Sequence, residues 1–450
     1  MEFLHNLWSV LIVIGIMVLI HELGHYWAAI FFNVKVDAFS FGFGPRLFGF
    51  RRGETDFRVC AIPFGGYVKM AGDQALIDQK TDLEDPAGYE PRGFLAKPRW
   101  QRMIIAFAGP AMNVVLSIAV ITGLFMWRFD KALDAGGPAI VGHVQPGGPA
   151  AQAGIQEGDV LVRMDDKADP AWEDIQMKEL TGAKRPMNLV IRRNGQQVLA
   201  TVTPAMNEKH LIGDAGWSEQ HEARLAEVRA GMPAAGAGLQ RGDVVLSVNG
   251  QAIRTMGRLN QMIRGSGGKA VEIIYARDGQ KNKISVQPQW ITMDTAAAAW
   301  MIGVVLDSRV ISTKLGAGEA FRESLRWNAK NATLIFDLLR GMIELRMSPK
   351  SLQGPIAMAQ ASGEATRRGP VDLAFLLAGV SLNLAIFNLL PIPILDGGVI
   401  LLLLVEMIMR RDLSINVKEA VFKAGFVFLM MVVVFVLYND ISKIIVGTKS

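Results

Sequence analysis

A titratable motif inside an apolar segment constrains this chain more than any other feature. Residues 7–32 read LWSVLIVIGIMVLIHELGHYWAAIFF, and the only acidic, basic or imidazole side chains in that segment belong to the motif at 21–25, HELGH. About 20 helical residues cross the core of a bilayer, so the segment is long enough to span a membrane. Polar groups are costly there and usually serve a function. We therefore treat the motif as a candidate site rather than a chance match.

The spacing of the motif indicates metal binding. His21 and His25 are four residues apart, which places both imidazoles on one face of a helix. Glu22 lies beside that face and can transfer a proton. Zinc suits such a pair, since it also needs a third protein ligand and can keep one position open for water. The pattern predicts a hydrolase.

The third ligand must come from another apolar segment. Four of the six histidines are excluded as metal ligands. His5 is too far from His21 along the first helix, and the other three lie outside the apolar segments: His143, His210 and His221. Two carboxylates remain, Asp396 and Glu406. Asp396 follows NLLPIPIL and precedes two glycines, a sequence that breaks a helix and turns irregular backbone inward. Glu406 lies at the segment boundary, where it can reach water, so Asp396 is the preferred ligand.

Composition and charge indicate a membrane protein with soluble parts. The chain has 450 residues, of which 50% are hydrophobic and 20% charged. Four segments qualify as spans, at about 7–32, 103–126, 372–405 and 421–438. Lysine and arginine concentrate between the first and second spans and between the third and fourth, which places both connections in the cytoplasm. The net charge of +5 then reflects topology, and nucleic-acid binding loses its support.

Residues 34–70 predict short strands and hairpins, because polar and apolar residues alternate between glycines. One part is rich in phenylalanine. A sheet at the membrane, or in a protein-lined cavity, would use such a face. A small cytoplasmic β-domain with an aromatic core is an equal alternative. Residues 72–93, rich in Asp, Gln, Pro and Gly, predict an irregular loop.

An internal repeat organises the region after the second span. Residues 149–161 (PAAQAGIQEGDVL) recur as 233–245 (PAAGAGLQRGDVV), 84 positions later. RNGQ at 193–196 returns at the same offset as RDGQ at 277–280, and each predicts a hairpin turn. The repeat therefore predicts two copies of one β-rich module.

The repeated block resembles bacterial PDZ domains, over about 127–220 and 221–310. Such folds bind extended peptides by strand addition beside a helix. The alternative is that the modules are spacers that keep large proteins away. Residues 316–346 then predict an amphipathic helix, either at the membrane surface or docked on the second module.

Taken together, these motifs resemble the site-2 protease family of intramembrane zinc metalloproteases. HELGH and NLLPIPILDGG carry the resemblance, and FLAKPRWQRMIIAFAGPAMN at 94–113, SLQGPIAMA at 351–359 and the two modules are similar to its bacterial regulator of sigma-E protease branch. The resemblance implies that Zn²⁺ is held by His21, His25 and Asp396, with Glu22 as the catalytic base. It also implies that Asn383 and Asn388 hold the substrate backbone.

The expected fold is a polytopic α-helical membrane protein with four transmembrane helices, a membrane-associated β-hairpin region and two β-rich PDZ domains. The expected order is a first span at 1–33, a cytoplasmic-side β-hairpin region and loop at 34–99, a second span at 100–126, PDZ domains at 127–220 and 221–310, an amphipathic helix and linker at 311–370, a third span at 371–406, a cytoplasmic loop at 407–420, and a fourth span with its tail at 421–450.

The resemblance further implies cleavage of single-span membrane proteins within the bilayer, such as a trimmed anti-sigma factor and signal-peptide remnants. The expected location is the bacterial inner membrane, with both termini and the PDZ domains in the periplasm, the active site toward the cytoplasm, and peptides as PDZ ligands. One rival is a non-catalytic PDZ-bearing adaptor with a vestigial metal site. Another is a metal transporter, which a single cluster of ligands makes improbable.

Overall fold

A computed structural model describes residues 2–72, 91–132, 137–207, 212–293, 296–306, 310–344 and 354–447. Most of the irregular loop predicted at 72–93 lies outside these residues. The chain forms two compact units. The first comprises Met1–Phe129, Lys314–Phe336 and Leu352–Ser450, and the second comprises Asp130–Thr313 and Asp337–Ser351.

The described residues form helices and strands with the following bounds. The helices are α1 (Glu2–Phe31), α2 (Arg99–Trp127), α3 (Pro149–Gln152), α4 (Trp172–Thr181), α5 (Pro233–Ala237), α6 (Met256–Gly265), α7 (Ala317–Ile343), α8 (Pro355–Arg368), α9 (Pro370–Asn388), α10 (Asp396–Met409) and α11 (Ile415–Gly447). The strands are β1 (Val36–Arg52), β2 (Thr55–Met70), β3 (Phe129–Ala132), β4 (Val141–Val144), β5 (Val160–Met164), β6 (Lys167–Ala168), β7 (Met187–Arg193), β8 (Gln196–Val202), β9 (Ala205–Met206), β10 (Gly213–Asp214), β11 (Trp217–Glu219), β12 (Ala223–Val228), β13 (Val244–Val248), β14 (Gln251–Ala252), β15 (Val271–Arg277), β16 (Gln280–Val286), β17 (Gln289–Met293), β18 (Ala296–Met301), β19 (Val304–Leu306) and β20 (Val310–Thr313).

Four helices of the described chain are long and apolar enough to cross a membrane: His5–Phe31, Arg99–Trp127, Pro370–Asn388 and Asn416–Ser442. Their number matches the four predicted spans. The chain is therefore a membrane protein, and it also contains β-rich regions. The predicted third span, 372–405, contains two helices, α9 and α10, with the expected break between them. Proline cannot donate a backbone hydrogen bond, so Pro391 and Pro393 explain why the helix stops there.

Helices α1 and α2 approach each other closely at the glycine of the HELGH motif. A Cβ atom built on Gly24 would lie 2.3 Å from the carbonyl oxygen of Ala108. No side chain fits at that distance, so glycine permits the contact. The motif therefore faces α2 directly.

Strands β1 and β2 form a folded sheet rather than a simple hairpin. Each of residues 38–41 has two register partners, one within 66–69 and one within 56–59, and residues 56–59 also pair with 48–51. The outer part of the sheet exposes the predicted phenylalanine-rich face, including Phe48 and Phe50. Phe39 is buried, whereas Phe48 and Phe50 form an exposed apolar patch of the kind that contacts another surface.

In the second unit, the elements of the first module recur in the second module at the predicted offset of 84 residues. β5, β6, α4, β7 and β8 correspond, first residue to first residue and last to last, to β13, β14, α6, β15 and β16. The two sheets run in the same order, β6-β5-β7-β8 and β14-β13-β15-β16, the second continuing from β13 to β12 and β19. The predicted duplication is therefore present in three dimensions.

A buried ion pair is repeated in both modules. In the first module, the guanidinium of Arg193 donates to both oxygens of Asp159, at 2.8 and 2.7 Å. In the second, Arg277 donates to both oxygens of Asp243, at 2.7 and 2.8 Å. Such bidentate pairs fix geometry as well as charge, so each ties the end of β7 or β15 to the residue just before its neighbour in the sheet, β5 or β13.

Helix α7 occupies the region in which an amphipathic helix was predicted. Its buried face contacts α2 and combines the apolar Ala320 with two polar side chains, Ser324 and Asn328. The hydroxyl of Ser117 donates to Asn328 Oδ1 at 2.6 Å, and that of Thr122 donates to the Ser324 hydroxyl at 2.8 Å. The neighbouring apolar side chain of Phe321 remains exposed. In its first half, α7 therefore packs against α2, and the two placements expected from the sequence stay predictions.

Candidate metal centre

Three side chains converge inside the first unit. The Nε2 atoms of His21 and His25 lie 3.2 Å apart. Asp396 Oδ2 lies 3.2 Å from Nε2 of His21, and its Oδ1 lies 3.5 Å from Nε2 of His25. Within the described residues, these three form the one group of histidine, cysteine and carboxylate side chains close enough to share an ion, with ligand atoms within 4.8 Å of one another.

The spacing of these atoms suits a zinc ion. Two ligands at about 2.0–2.1 Å from a tetrahedral zinc lie about 3.3 Å from each other. The separations among His21, His25 and Asp396, 3.2 to 3.5 Å, are close to that value. Two imidazoles and one carboxylate also match the donor set of catalytic zinc sites, in which a fourth position stays open.

The turn before α10 delivers Asp396 to the histidines. Asp396 is the first residue of α10, and the turn folds back onto the start of that helix. Cβ atoms built on Gly397 and Gly398 would lie 2.3 Å from the carbonyl oxygens of Leu390 and Ile392, respectively. Glycines at both positions therefore allow the turn to close, which explains the residues that follow Asp396 in the motif.

Both imidazoles have partners on α2 that orient them. His25 Nδ1 lies 2.8 Å from the carbonyl oxygen of Ile105. That carbonyl can only accept, so Nδ1 carries the proton and the lone pair on Nε2 points toward His21 and Asp396. The bond is of the kind that commonly fixes the tautomer of a metal-binding histidine.

The partner of His21 supports the same tautomer. Asn113 Nδ2 lies 3.2 Å from His21 Nδ1, while the buried Oδ1 of Asn113 has no hydrogen-bond partner. Amide oxygen and nitrogen are assigned from their surroundings, and exchanging the two places Oδ1 beside Nδ1. The oxygen then accepts the Nδ1 proton, leaving Nε2 of His21 free to bind an ion. The residues present therefore fit zinc.

Glu22 lies next to the cluster without joining it. Strand β2 passes beside its side chain. A Cβ atom built on Gly66 would lie 3.1 Å from Glu22 Cγ, so the strand passes directly over this side chain. The sheet thus positions the carboxylate beside the two imidazoles.

The structure places the two predicted asparagines differently. Asn388 Nδ2 lies 3.5 Å from His21 Nε2, at the edge of the cluster. Asn383 lies five residues earlier on α9 and is half-buried. Five residues correspond to about 140° around a helix, so the two side chains leave α9 in different directions.

Glu406, the rival third ligand, belongs to a separate cluster. Only 1% of it is exposed, and its Oε1 lies 2.8 Å from Lys418 Nζ and accepts the N–H of Leu413 at 2.9 Å. Arg102 Nη2 lies 3.9 Å from its other oxygen. These charges hold the ends of α2, α10 and α11 together, and Asp396 is the carboxylate that reaches the histidines.

Neither Asn113 nor Gly109 was singled out from the sequence, although both lie in the motif at 94–113. Asn113 orients His21, and the hydroxyl of Ser381 donates to the backbone carbonyl of Asn113 at 2.9 Å. A signal existed for Asn113, because an amide in an apolar span is as unexpected as a carboxylate. Gly109 had no such signal. Its importance comes from packing, since a Cβ atom built there would lie 2.2 Å from His25 Nε2.

Comparison with known proteins adds a family. The sequence model of peptidase family M50 matches residues 9–432. A relative from Treponema pallidum, which bears the name "Putative zinc metalloprotease", is 31% identical over 96% of this chain and 97% of its own length. The "Regulator of sigma E protease" of Salmonella typhi is 27% identical over 99% of this chain and 100% of its own. A solved PDZ domain of the SdrC-like protein from Listeria monocytogenes is 20% identical and covers 20% of this chain and 90% of that domain, with a TM-score of 0.18.

Proposed function

Because this chain belongs to peptidase family M50, the site-2 proteases, and is an intramembrane zinc metalloprotease, we propose that His21, His25 and Asp396 are its zinc ligands and Glu22 its catalytic base. One observation carries the proposal: the three ligand atoms lie within 4.8 Å of one another, although Asp396 is far from the histidines in sequence.

The protein side chains divide the chemistry between them. Ile105 and Asn113 hold the imidazoles so that both Nε2 lone pairs face Asp396. A bound zinc ion supplies a Lewis acid that polarises a peptide carbonyl and acidifies water. The carboxylate of Glu22 accepts a proton from the attacking water and passes it to the nitrogen of the leaving amine. The peptide bond is cleaved by water, and no covalent enzyme intermediate forms.

The substrate segment must be extended at the site, because a helix hides its carbonyls in hydrogen bonds. We assign Asn388 and Asn383 the role of holding the backbone of such a segment, and the position of Asn388 at the edge of the cluster supports this role. Strand β2, which contains Gly66, borders Glu22 and offers an edge to an extended chain.

The proposed location is the bacterial inner membrane, with the active site toward the cytoplasm and both termini in the periplasm. Arginine and lysine between the first and second spans support this orientation, as do those between the third and fourth. It places the two β-rich modules in the periplasm.

We assign the two modules as PDZ domains that screen single-span substrates already trimmed on the periplasmic side. The duplicated elements and the motifs within them support that assignment. The name of the Salmonella typhi relative supports an anti-sigma factor as one substrate. Signal-peptide remnants are a second substrate class of the same kind, a single apolar helix.

A Glu22→Gln variant tests the proposed roles. The variant, purified in detergent, is expected to retain about one zinc ion per chain and to lose cleavage of a single-span substrate. Metal content is measured by mass spectrometry and cleavage by gel shift. A wild-type protein without zinc would instead favour the adaptor, and Glu22→Gln cleaving at the wild-type rate would remove Glu22 as the base.

A further inference from the structure

The sheet of β1 and β2 lies along the membrane-spanning part of α1. A Cβ atom built on Gly15, near the middle of the span His5–Phe31, would lie 3.1 Å from the ring of Phe41. At the other end of the sheet, Val36 comes shortly after α1 ends at Phe31. Gly15 and Phe31 are about 24 Å apart along a helix. The sheet therefore extends from the end of the span to about its middle, at the level of one leaflet.

Residues 48–52 of β1 form the outer edge of this sheet. They pair with 55–59, most of which also pair with 38–41, and 38–41 pair with 66–69. The strand at 66–69 continues from the residue that passes over Glu22, so it is the opposite edge. Three strand spacings, about 14 Å, separate the two edges. An extended substrate paired at the inner edge would therefore not reach residues 48–52.

The outer strand is apolar where it lies beside the middle of the span. Phe48 and Phe50 are 65% and 64% exposed. Phe48 pairs with Val59, which also pairs with Phe41, the residue beside the middle of α1. The Phe50 ring stacks on that of Phe57 at 5.2 Å, which fixes its direction. At this depth the surroundings are hydrocarbon, so both rings are placed to lie along an acyl chain.

The same strand ends in two arginines at the level where the span ends. Arg52 pairs with Thr55, whose hydroxyl donates to the carbonyl oxygen of Val36 at 2.8 Å. Arg52 is therefore level with Val36, just beyond the end of α1. Arg51 and Arg52 are both exposed, and neither forms an ion pair in the described part of the chain. A guanidinium binds phosphate through two parallel hydrogen bonds, and lipid phosphates lie at this depth.

The carboxylates that follow these two arginines in the sequence are already paired. Glu54 Oε2 lies 2.9 Å from Nη1 of Arg92. Asp56 Oδ1 lies 3.2 Å from Nη2 of Arg46, and its Oδ2 lies 3.3 Å from Nε of Arg58. The ammonium group of a zwitterionic headgroup would find neither carboxylate free. Two unpaired positive charges at the membrane surface therefore favour a headgroup with a net negative charge.

We propose that the outer strand of this sheet binds an anionic phospholipid, with the phosphate held by Arg51 and Arg52 and one acyl chain lying along Phe48 and Phe50. The site is separate from the zinc centre. The proposal requires only that α1 spans the membrane, so it is tested independently of proteolysis. A lipid bound there holds the outer edge of a sheet whose inner part lies beside Glu22.

Lipid binding to the purified protein tests this proposal. The full-length protein in neutral detergent is titrated with phosphatidylglycerol or phosphatidylcholine of identical acyl chains, and bound lipids are counted by native mass spectrometry. The wild type is expected to bind phosphatidylglycerol roughly 10- to 30-fold more tightly. Arg51→Gln/Arg52→Gln is expected to lose that preference, and Arg51→Lys/Arg52→Lys to keep most of it. Equal binding of the two lipids by the wild type, or an unchanged preference in the glutamine variant, would overturn the proposal.

Two other arginines provide a matched control. Arg410 and Arg411 are also adjacent and exposed, at the end of α10, but the exposed carboxylate of Asp412 follows them directly. Arg410→Gln/Arg411→Gln removes the same charge and is expected to keep the preference for phosphatidylglycerol. An equal loss in both glutamine variants would mean a general attraction to basic residues and would refute a site at the outer strand.

The contribution of the acyl chain is measured separately. Phe48→Ala/Phe50→Ala changes two exposed side chains and is expected to weaken binding of phosphatidylglycerol about fivefold. An excess of inorganic phosphate is expected not to displace the lipid. Displacement by phosphate, together with unchanged binding by the alanine variant, would show a site for a free anion instead of a lipid. Zinc content, measured on the same samples, reports whether each variant keeps the fold of the first unit.

Discussion

Gly109 of α2 lies directly against the imidazole of His25, because a Cβ atom at this glycine would come within 2.2 Å of Nε2. Nε2 of His25, the nitrogen that would bind the metal, therefore occupies the space that a side chain at position 109 would fill.

The first prediction concerns that contact. Gly109→Ala is expected to push the His25 ring away from Asp396 and to lower zinc affinity roughly tenfold or more, with a parallel loss of proteolysis. Gly123→Ala is a matched control in the same helix, since a Cβ atom there meets nothing within 4 Å. Zinc affinity is measured by competition with a chelator. Equal affinities for the two variants would contradict the packing argument.

The second prediction concerns the amide that orients His21. With the Asn113 oxygen turned toward Nδ1, Asn113→Asp keeps an acceptor and is expected to keep zinc, whereas Asn113→Ala is expected to bind it about 10- to 100-fold more weakly. Chelator competition on both variants measures the difference. Loss of zinc in Asn113→Asp with retention in Asn113→Ala would mean that the amide donates to His21 instead.

The third prediction tests which of two carboxylates, Asp396 or Glu406, is the third zinc ligand. Asp396→Ala is expected to remove zinc, because the ion would keep only two protein ligands. Glu406→Gln is expected to keep zinc but to lower the thermal midpoint, since the largely buried charge of Lys418 loses the carboxylate at 2.8 Å, at a cost on the order of 3 kcal/mol. Metal analysis and thermal unfolding in detergent distinguish the two effects. Loss of zinc in the Glu406 variant would contradict the assignment of Asp396, rather than Glu406, as the third ligand.

The fourth prediction concerns pH. Burial raises the pKa of the Glu179 carboxyl above 4.5, the nearby Asp214 adds to the rise, and the hydrogen bonds from Ala215 and Trp217 offset it only in part. The folded state then binds this proton more tightly than the unfolded state. The contribution of Glu179 to stability is therefore fully present below pH 4.5 and is lost as pH rises through the raised pKa.

Comparison with Glu179→Gln, which stays neutral, measures this effect. The thermal midpoint of the wild type is expected to fall relative to that of the variant as pH rises from 4 to 8, a range chosen to span the titration. If the difference between the two thermal midpoints did not change with pH, the raised pKa of the Glu179 carboxyl would be contradicted.

The fold was predictable where its signal is local or repeated. Apolar length identified the four spans, and the 84-residue repeat predicted elements that the structure aligns residue by residue, because the same local sequence forms the same strand or helix twice. The break before Asp396 also followed from the prolines. The polar contacts between α7 and α2 were not predicted, since hydrophobic periodicity does not reveal that Asn328 pairs with Ser117 across two helices.

The candidate site was predictable only in part. His21, Glu22, His25 and Asp396 stood out because titratable groups in apolar segments are rare. Asn113 and Gly109 act through contacts between helices, and such contacts depend on tertiary packing that no single segment encodes. The same limit applies to Glu179. The repeat aligned it with Ile263, but its effect depends on the donors that its carboxylate reaches in the folded module.

The distance along the chain between the proposed zinc ligands has a consequence during synthesis. His25 and Asp396 are separated by 371 residues. At about 5–20 residues per second, a ribosome needs roughly 20–70 s to extend the chain from one to the other. Throughout that interval the nascent protein would carry two imidazoles in the membrane without the carboxylate that completes the centre. If Asp396 is the third zinc ligand, proteolysis would therefore begin only after this residue has been synthesised.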